Sequence, residues 1–206
     1  MIKEITLPLE MKTLCSLVAG DLVTLTGRIF TGRESFYIRA VEEKILPDLD
    51  YEAINVMMHV GPVMEKTQGE WKVLSLTPTT SIRMEKYAGP MIKRLRTRAL
   101  IGKGTMGRKS MEAMKKEGAV HLSPTGIYPS LLAGQVRKVE KVFFLEETGP
   151  TEATWIFDVA SFGPFLVDMD CHGGNYFEGI ISRSMEQMKK VYAKHGIPQG
   201  YKYTPI

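Results

Sequence analysis

Cysteine is nearly absent: only Cys15 and Cys171 occur among 206 residues, far apart in sequence and without a C-x-x-C or Cys/His cluster around them. The chain alone therefore cannot hold an iron–sulfur cluster or a structural zinc, both of which need several converging thiolate or imidazole donors. Histidine is scarce as well. His59, His121, His172 and His195 are scattered without ligand spacing, and the first two fall within strand candidates, where a satisfied core histidine is expected. Asp168 and Asp170 flank a strand end and read as solvated turn acids. No apolar run approaches the length needed to cross a bilayer. The opening M-I-K-E-I-T-L-P-L-E contains acids and no apolar stretch before a small-residue cleavage site, so a soluble, cytoplasmic protein is expected.

What is present is ordinary for a globular chain, with 44% hydrophobic and 24% charged residues, and thirteen methionines that read as adaptable core packing. The length suits one domain over residues 1–206, with a core at 5–175 and a C-terminal helix and tail at 177–206. The net charge of +4 is unevenly spread: nine basic side chains and the single acid Glu112 between residues 93 and 116 leave that segment at +8. Such a concentration can steer an anion, contact nucleic acid or solvate two helices. It lacks the interleaved aromatics that single-strand stacking requires.

Punctuation and periodicity outline an α/β fold with one mainly parallel and one antiparallel sheet. Strands are expected at 22–30, 54–60, 71–76, 99–101, 119–122, 142–146, 154–159 and 164–168, with a loop over 65–70. Helices are expected at 34–45, from Pro90 through the basic residues, at 106–116, at 129–140 and, most clearly amphipathic, at 177–195 before a tail rich in Tyr and Pro. The 99–122 segment reads as a βαβ unit whose strands are parallel neighbours.

The stretch with most chemistry runs from Thr77 to Met106. T-P-T-T-S-I-R-M joins the hydroxyls of Thr79 and Thr80 to Arg83, one helical turn beyond Thr79, and I-G-K-G-T-M sets Lys103 in a glycine loop beside Gly104. Arg33, in T-G-R-E at the end of the first long strand, is placed to join them. A guanidinium fork, a compact ammonium and closely approachable backbone suit a small carboxylic acid. Capping of a helix is the plainer role for the threonine pair. Gly102, Gly104 and Gly107 form G-x-G-x-x-G, but no acid follows about 20 residues on to bind a ribose, and Arg108 breaks the P-loop pattern. What remains is a loop whose amides and Lys103 converge on a helix N-terminus, a favourable place for an oxyanion.

Four ordered motifs carry a resemblance: T-G-R-E-S-F-Y-I-R (31–39), P-T-T-S-I-R-M-E (78–85), G-K-G-T-M (102–106) and E-A-T-W-I-F-D-V (152–159). Together they resemble the β subunit of class I fumarate hydratases, including the similar β subunit of L-tartrate dehydratase. The resemblance implies a swivelling, three-layer β/β/α domain. It also implies a hetero-oligomer such as α2β2, with a [4Fe-4S] cluster bound by the partner α subunit rather than by this chain. It further implies that Arg33, Arg83 and Lys103 grip substrate carboxylates, with Thr80 and Gly104 beside them, and that Thr79 is the base. A threonine hydroxyl needs a helper for that role. Glu34, Phe36 and Tyr37 depart from the usual Asp, Ala and His, Thr77 from a Gly, and Glu85 from an Asp. The expected activity is a hydro-lyase, active only with its α subunit, that hydrates fumarate reversibly to (S)-malate. Tartrate dehydration and a nucleic-acid-binding module on residues 93–116 are the alternatives.

Overall fold

The computed structural model describes residues 1–126, 129–198 and 200–201. Its strands are β1 (Ile2–Thr6), β2 (Leu22–Thr31), β3 (Val56–Met58), β4 (Val63–Thr67), β5 (Glu70–Ser75), β6 (Ala99–Ile101), β7 (Val120–Pro124), β8 (Val136–Phe143) and β9 (Thr154–Met169). The helices are α1 (Met11–Leu14), α2 (Glu34–Ile38), α3 (Glu85–Leu95), α4 (Arg108–Glu117), α5 (Pro129–Gly134), α6 (Leu145–Thr148) and α7 (Tyr176–Lys194).

Seven strands form one sheet in the order β1-β2-β3-β6-β7-β9-β8, while β4 and β5 make a separate two-stranded antiparallel sheet. Within the large sheet β1, β2, β3, β6 and β7 run parallel to their neighbours, and β9 is antiparallel to β2, β7 and β8. Because β9 also pairs with β2, the strands β2, β3, β6, β7 and β9 close into a ring. The β6–α4–β7 unit is the expected parallel crossover, with Ala99 opposite Val120.

Alternation along the strands sends side chains into two apolar clusters. Leu25, Ile29, Val56, Met58, Trp155 and Phe157 belong to one, against which Trp71 of β5 packs edge-on to Trp155 at 5.0 Å. Phe30, Met57 and Leu100 point the other way and are covered by Tyr37 of α2, Met91 and Ile92 of α3, and Met114 of α4. The carboxyl ends of β2, β3 and β6 therefore open on the same rim, where α/β sheets present their ligand loops.

Several expectations from sequence give way. Residues 65–70 are a hairpin, not a loop: Gln68 and Gly69 both have positive φ, 53° and 88°, as a tight two-residue turn requires. Pro90 neither starts nor breaks a helix but lies inside α3. Lys86, whose carbonyl loses a donor there, is exposed, so water can satisfy it. The helix expected over 129–140 stops at Gly134 and becomes edge strand β8. Register shifts between Val136 and Lys138 and between Val139 and Lys141 space its apolar Val136, Val139 and Val142 three apart, which imitates a helix in sequence. The strand expected at 142–146 ends at Phe143, giving way to α6. The helix expected over 34–45 is α2 continued by a wider π turn at Arg39–Glu43. The two strands expected at 154–159 and 164–168 are the single strand β9, bent where Ser161 and Gly163 take positive φ.

The C-terminal helix is found at Tyr176–Lys194, started by the Asn175 side chain, which accepts from the amides of Phe177 and Glu178. None of its residues is buried, and Ile181, Met185, Met188 and Val191 are exposed along it. Part of the tail expected after it, residues 199 and 202–206, lies outside the described residues.

Candidate active site

Three backbone crossings bring the sequence-predicted loops together. The chain leaves β3 at His59, whose amide bonds to Ile101 O at 2.7 Å, and Thr79 N then donates to His59 O at 2.6 Å. Lys103 N donates to Thr79 O and Ser81 N to Lys103 O, each at 3.0 Å, so Thr80 and Lys103 pair as a short parallel bridge. The P-T-T-S and G-K-G segments thus lie side by side. Arg33 comes from the third direction, directly after β2, and its guanidinium packs so closely on Gly61 that a Cβ there would lie 2.6 Å from Nη1. The end of β2 is held by Thr31, whose buried hydroxyl accepts from Trp155 N at 2.9 Å.

Both arginines are already partnered in this arrangement. Arg33 Nε lies 3.2 Å from Glu152 Oε1 and 3.6 Å from Glu34 Oε2, while the other oxygen of Glu34 meets Arg83 Nη2. Glu34 therefore spans the two arginines. Glu152 also accepts from Ser35 N at 3.1 Å, fixing the first turn of α2. Neither acid is marked as a site residue by sequence, although each lies within a motif. Lys103 and Gly104 are exposed, Thr79 and Thr80 are partly buried, and Gly104 takes a φ of 75° that suits glycine.

Three sequence expectations fail here. Thr80 is the residue before a 3-10 turn at Ser81–Met84, and its side chain makes no cap hydrogen bond. Thr79 lies outside that turn, so Thr79 and Arg83 do not share a helical face. The N-terminus of α4 is also already filled. Glu85 accepts from Gly107 N at 2.8 Å and Ser110 N at 3.1 Å, and from the Ser110 hydroxyl. The anion that the G-x-G-x-x-G loop attracts is this chain's own carboxylate, and Lys103 N and Gly102 N are spent on Thr79 and Leu122.

Beneath the two loops runs a buried polar chain whose members look unrelated in sequence, His59 and His121 as core histidines and Asp168 as a turn acid. Tyr37 Oη lies 2.7 Å from His59 Nε2, and His59 Nδ1 lies 2.9 Å from Ser81 Oγ. Ser81 Oγ lies 2.8 Å from His121 Nε2, and His121 Nδ1 lies 2.7 Å from Asp168 Oδ1. Burial, with the neighbouring His121 adding to it, pushes His59 down to about 3, and burial lifts the Tyr37 phenol well above its usual range. Asp168 and Asp170 are not solvated, as expected from sequence, but buried. Asp170 accepts from Ala19 N, His172 N and Gly174 N at 2.8–2.9 Å, which shapes the H-G-G-N turn.

The basic segment is partly committed to the fold. Arg98 donates to Gly118 O at 2.9 Å at the end of α4, Arg96 pairs with Glu52 at 2.8 Å and Arg108 with Glu112 at 3.1 Å.

The family described as Fumarase C-terminus matches residues 2–180. The chain belongs to this family. Its fumarase C-terminal relatives include a Methanocaldococcus jannaschii protein provisionally named L(+)-tartrate dehydratase subunit beta, 36% identical over 188 residues, covering 89% of this chain and 95% of the relative. The L(+)-tartrate dehydratase subunit beta of Escherichia coli (strain K12) is 34% identical over 204 residues, covering 96% of this chain and 94% of that one. A Geobacillus stearothermophilus protein provisionally named fumarate hydratase class I is 36% identical over 184 residues, which are 89% of this chain and 35% of its own. These matches place the chain in a family whose named members are hydro-lyases, two of them called β subunits. The site residues named above all fall inside the matched span.

Proposed function

We propose that this chain is the β subunit of an iron–sulfur hydro-lyase that hydrates fumarate reversibly to (S)-malate, working in the cytoplasm as a swivelling β/β/α domain against an α subunit. The observation that carries the reading is the pairing of Thr80 with Lys103, which sets the hydroxyl and lysine loops edge to edge. The Arg33 loop supports it from the adjoining rim. Among the described residues no three His, Cys, Asp or Glu side chains converge as a metal site. With only Cys15 and Cys171, this chain's own residues do not fit a [4Fe-4S] cluster, so the cluster is assigned to the α subunit.

The chain's part is binding and proton handling. Arg33, Arg83 and Lys103 hold the two substrate carboxylates, with Thr80 and Gly104 bordering them, and Thr79 moves the C3 proton with a helper from the α subunit. Charge that develops on the neighbouring carboxylate as the proton leaves is met by the same cations. Glu34 has to release Arg83 as the substrate carboxylate arrives. Closure of the α subunit over the rim would bury Lys103, which is exposed in the chain by itself.

Tartrate dehydration is the second reading, favoured by the names of the two relatives that this chain matches over nearly their whole length. A dicarboxylate clamp alone tolerates an added hydroxyl. Anaerobic co-purification with the α subunit, followed by malate and tartrate dehydration assays on one preparation, tests both. Turnover of malate that Thr79→Ala abolishes supports the fumarase reading, turnover of tartrate changes the substrate and keeps the site, and turnover of neither overturns the proposal. No helix among the described residues is long and apolar enough to cross a membrane.

A further inference from the structure

The buried chain from Tyr37 to Asp168 joins five separate elements: α2, the end of β3, the 3-10 turn after Thr80, β7 and β9. All five side chains are fully buried. Its hydrogens can be assigned from one end. An ionised Asp168 carboxylate offers only acceptors, so His121 Nδ1 donates to it, and with a single proton on the ring Nε2 is left as an acceptor. Ser81 then donates to His121 and has a lone pair left for His59 Nδ1–H. His59 Nε2 in turn accepts from the Tyr37 phenol. Every donor points the same way, toward Asp168. The second carboxylate oxygen, Oδ2, is buried without a partner, so the aspartate acts on its surroundings through His121.

Ser81 is where this chain touches the candidate site. Its amide is bonded to Lys103 O, it lies two residues from Thr79, and its hydroxyl sits against Gly102 so tightly that a Cβ there would be 1.8 Å away. The hydroxyl therefore sets how closely the two loops can approach. We propose that Ser81, His121 and Asp168, continued by His59 and Tyr37, are positioning residues for the Thr79–Lys103 site. They would form a single buried hydrogen-bond chain of one polarity that fixes the two loops in register.

This inference rests on the proposed hydro-lyase reading, and its test separates the two. In the α/β complex carrying 15N-histidine, nitrogen shifts should show His59 and His121 both as neutral Nδ1–H tautomers. An Nε2–H tautomer at either ring would overturn the assigned polarity. In the same complex, Ser81→Ala, Asp168→Asn and the near-isosteric Tyr37→Phe are compared well below their thermal midpoints. Ser81→Ala and Asp168→Asn should each lower kcat on the accepted acid at least tenfold, and the double variant should lose no more than the worse single one. Tyr37→Phe, which keeps the ring and removes one terminal donor, should fold and lose less, about threefold. Variants that melt earlier yet keep wild-type kcat and KM, or losses that multiply, would refute a positioning role. If the two disruptive variants fail to assemble, Tyr37→Phe and the tautomers still decide it. A wild-type complex that turned over neither acid would refute the proposed function, while the tautomers would still report on the chain's polarity.

Discussion

Replacing Gly102 by alanine should be far costlier than a glycine-to-alanine change at a loop edge usually is. The new Cβ would lie 1.8 Å from Ser81 Oγ and 3.0 Å from His59 Nδ1. The serine must rotate away, and rotation strips His59 and His121 of their shared partner. Each fully buried ring nitrogen left unpaired costs roughly 1–3 kcal/mol, so a total of about 4 kcal/mol is expected. For a chain of this size that corresponds to a fall in thermal midpoint of about 8–16 °C. Ser81→Ala orphans the same two nitrogens and should cost a similar amount. The decisive assay is the double-mutant cycle by thermal and urea unfolding. With the hydroxyl gone, the Cβ added at position 102 faces the Cβ of residue 81 at 3.1 Å, a contact that a small shift relieves, so the double variant should lie within about 1 kcal/mol of Ser81→Ala. Independent, additive losses would show that the serine hydroxyl is not what Gly102 accommodates, and a Gly102→Ala variant as stable as wild type would refute the packing argument outright.

Other outcomes follow from the same geometry. Lys103→Met should lower kcat/KM of the α/β complex about a hundredfold or more by removing a charge-assisted contact to substrate, and an unchanged value would reduce the G-K-G loop to a turn. Glu34→Gln removes the anion that spans Arg33 and Arg83, so KM for a dicarboxylate should fall severalfold; a raised KM would mean that Glu34 chiefly holds the arginines in place. Glu85→Ala uncaps α4 and should cost about 1–2 kcal/mol in urea unfolding, whereas no loss would mean that water replaces the carboxylate. His59 has its folded value depressed from the ordinary 6.5 to about 3, so the unfolded chain binds the extra proton first. Its contribution is complete above about pH 6.5 and is lost as pH falls toward 3, and the acid slope of the thermal midpoint should flatten in His59→Asn.

The loops that meet at the rim are legible in the sequence because glycine, proline and threonine punctuate them in short, ordered motifs, and the β6–α4–β7 crossover because its helix and strands have clean periods. Strand β8 is not, since its bulges turn a period of two into an apparent period of three. The hairpin of β4 and β5 is hidden by charged, exposed residues around a Gln-Gly turn that only its positive φ angles reveal. In the candidate site, the positions of Arg33, Thr79, Thr80 and Lys103 can be foreseen as a group. What holds them cannot. His59, Ser81, His121 and Asp168 are up to 109 residues apart in sequence, none forms a local pattern with another, and each by itself reads as ordinary core or turn. Glu34 and Glu85 present the opposite difficulty: they stand inside recognisable motifs, yet their charge reads as incidental until its partners are visible.

The ring of strands also imposes an order on synthesis. β2 emerges from the ribosome early but cannot be flanked on both edges until β9, more than a hundred residues later, has left the exit tunnel. Until then the carboxyl rim has no fixed floor: Trp155, which ties down Thr31, and Asp168, which anchors His121, both lie on that last strand. A nascent chain that stalls after α6 would carry every proposed substrate-binding residue and still lack the closure that gives them a common frame.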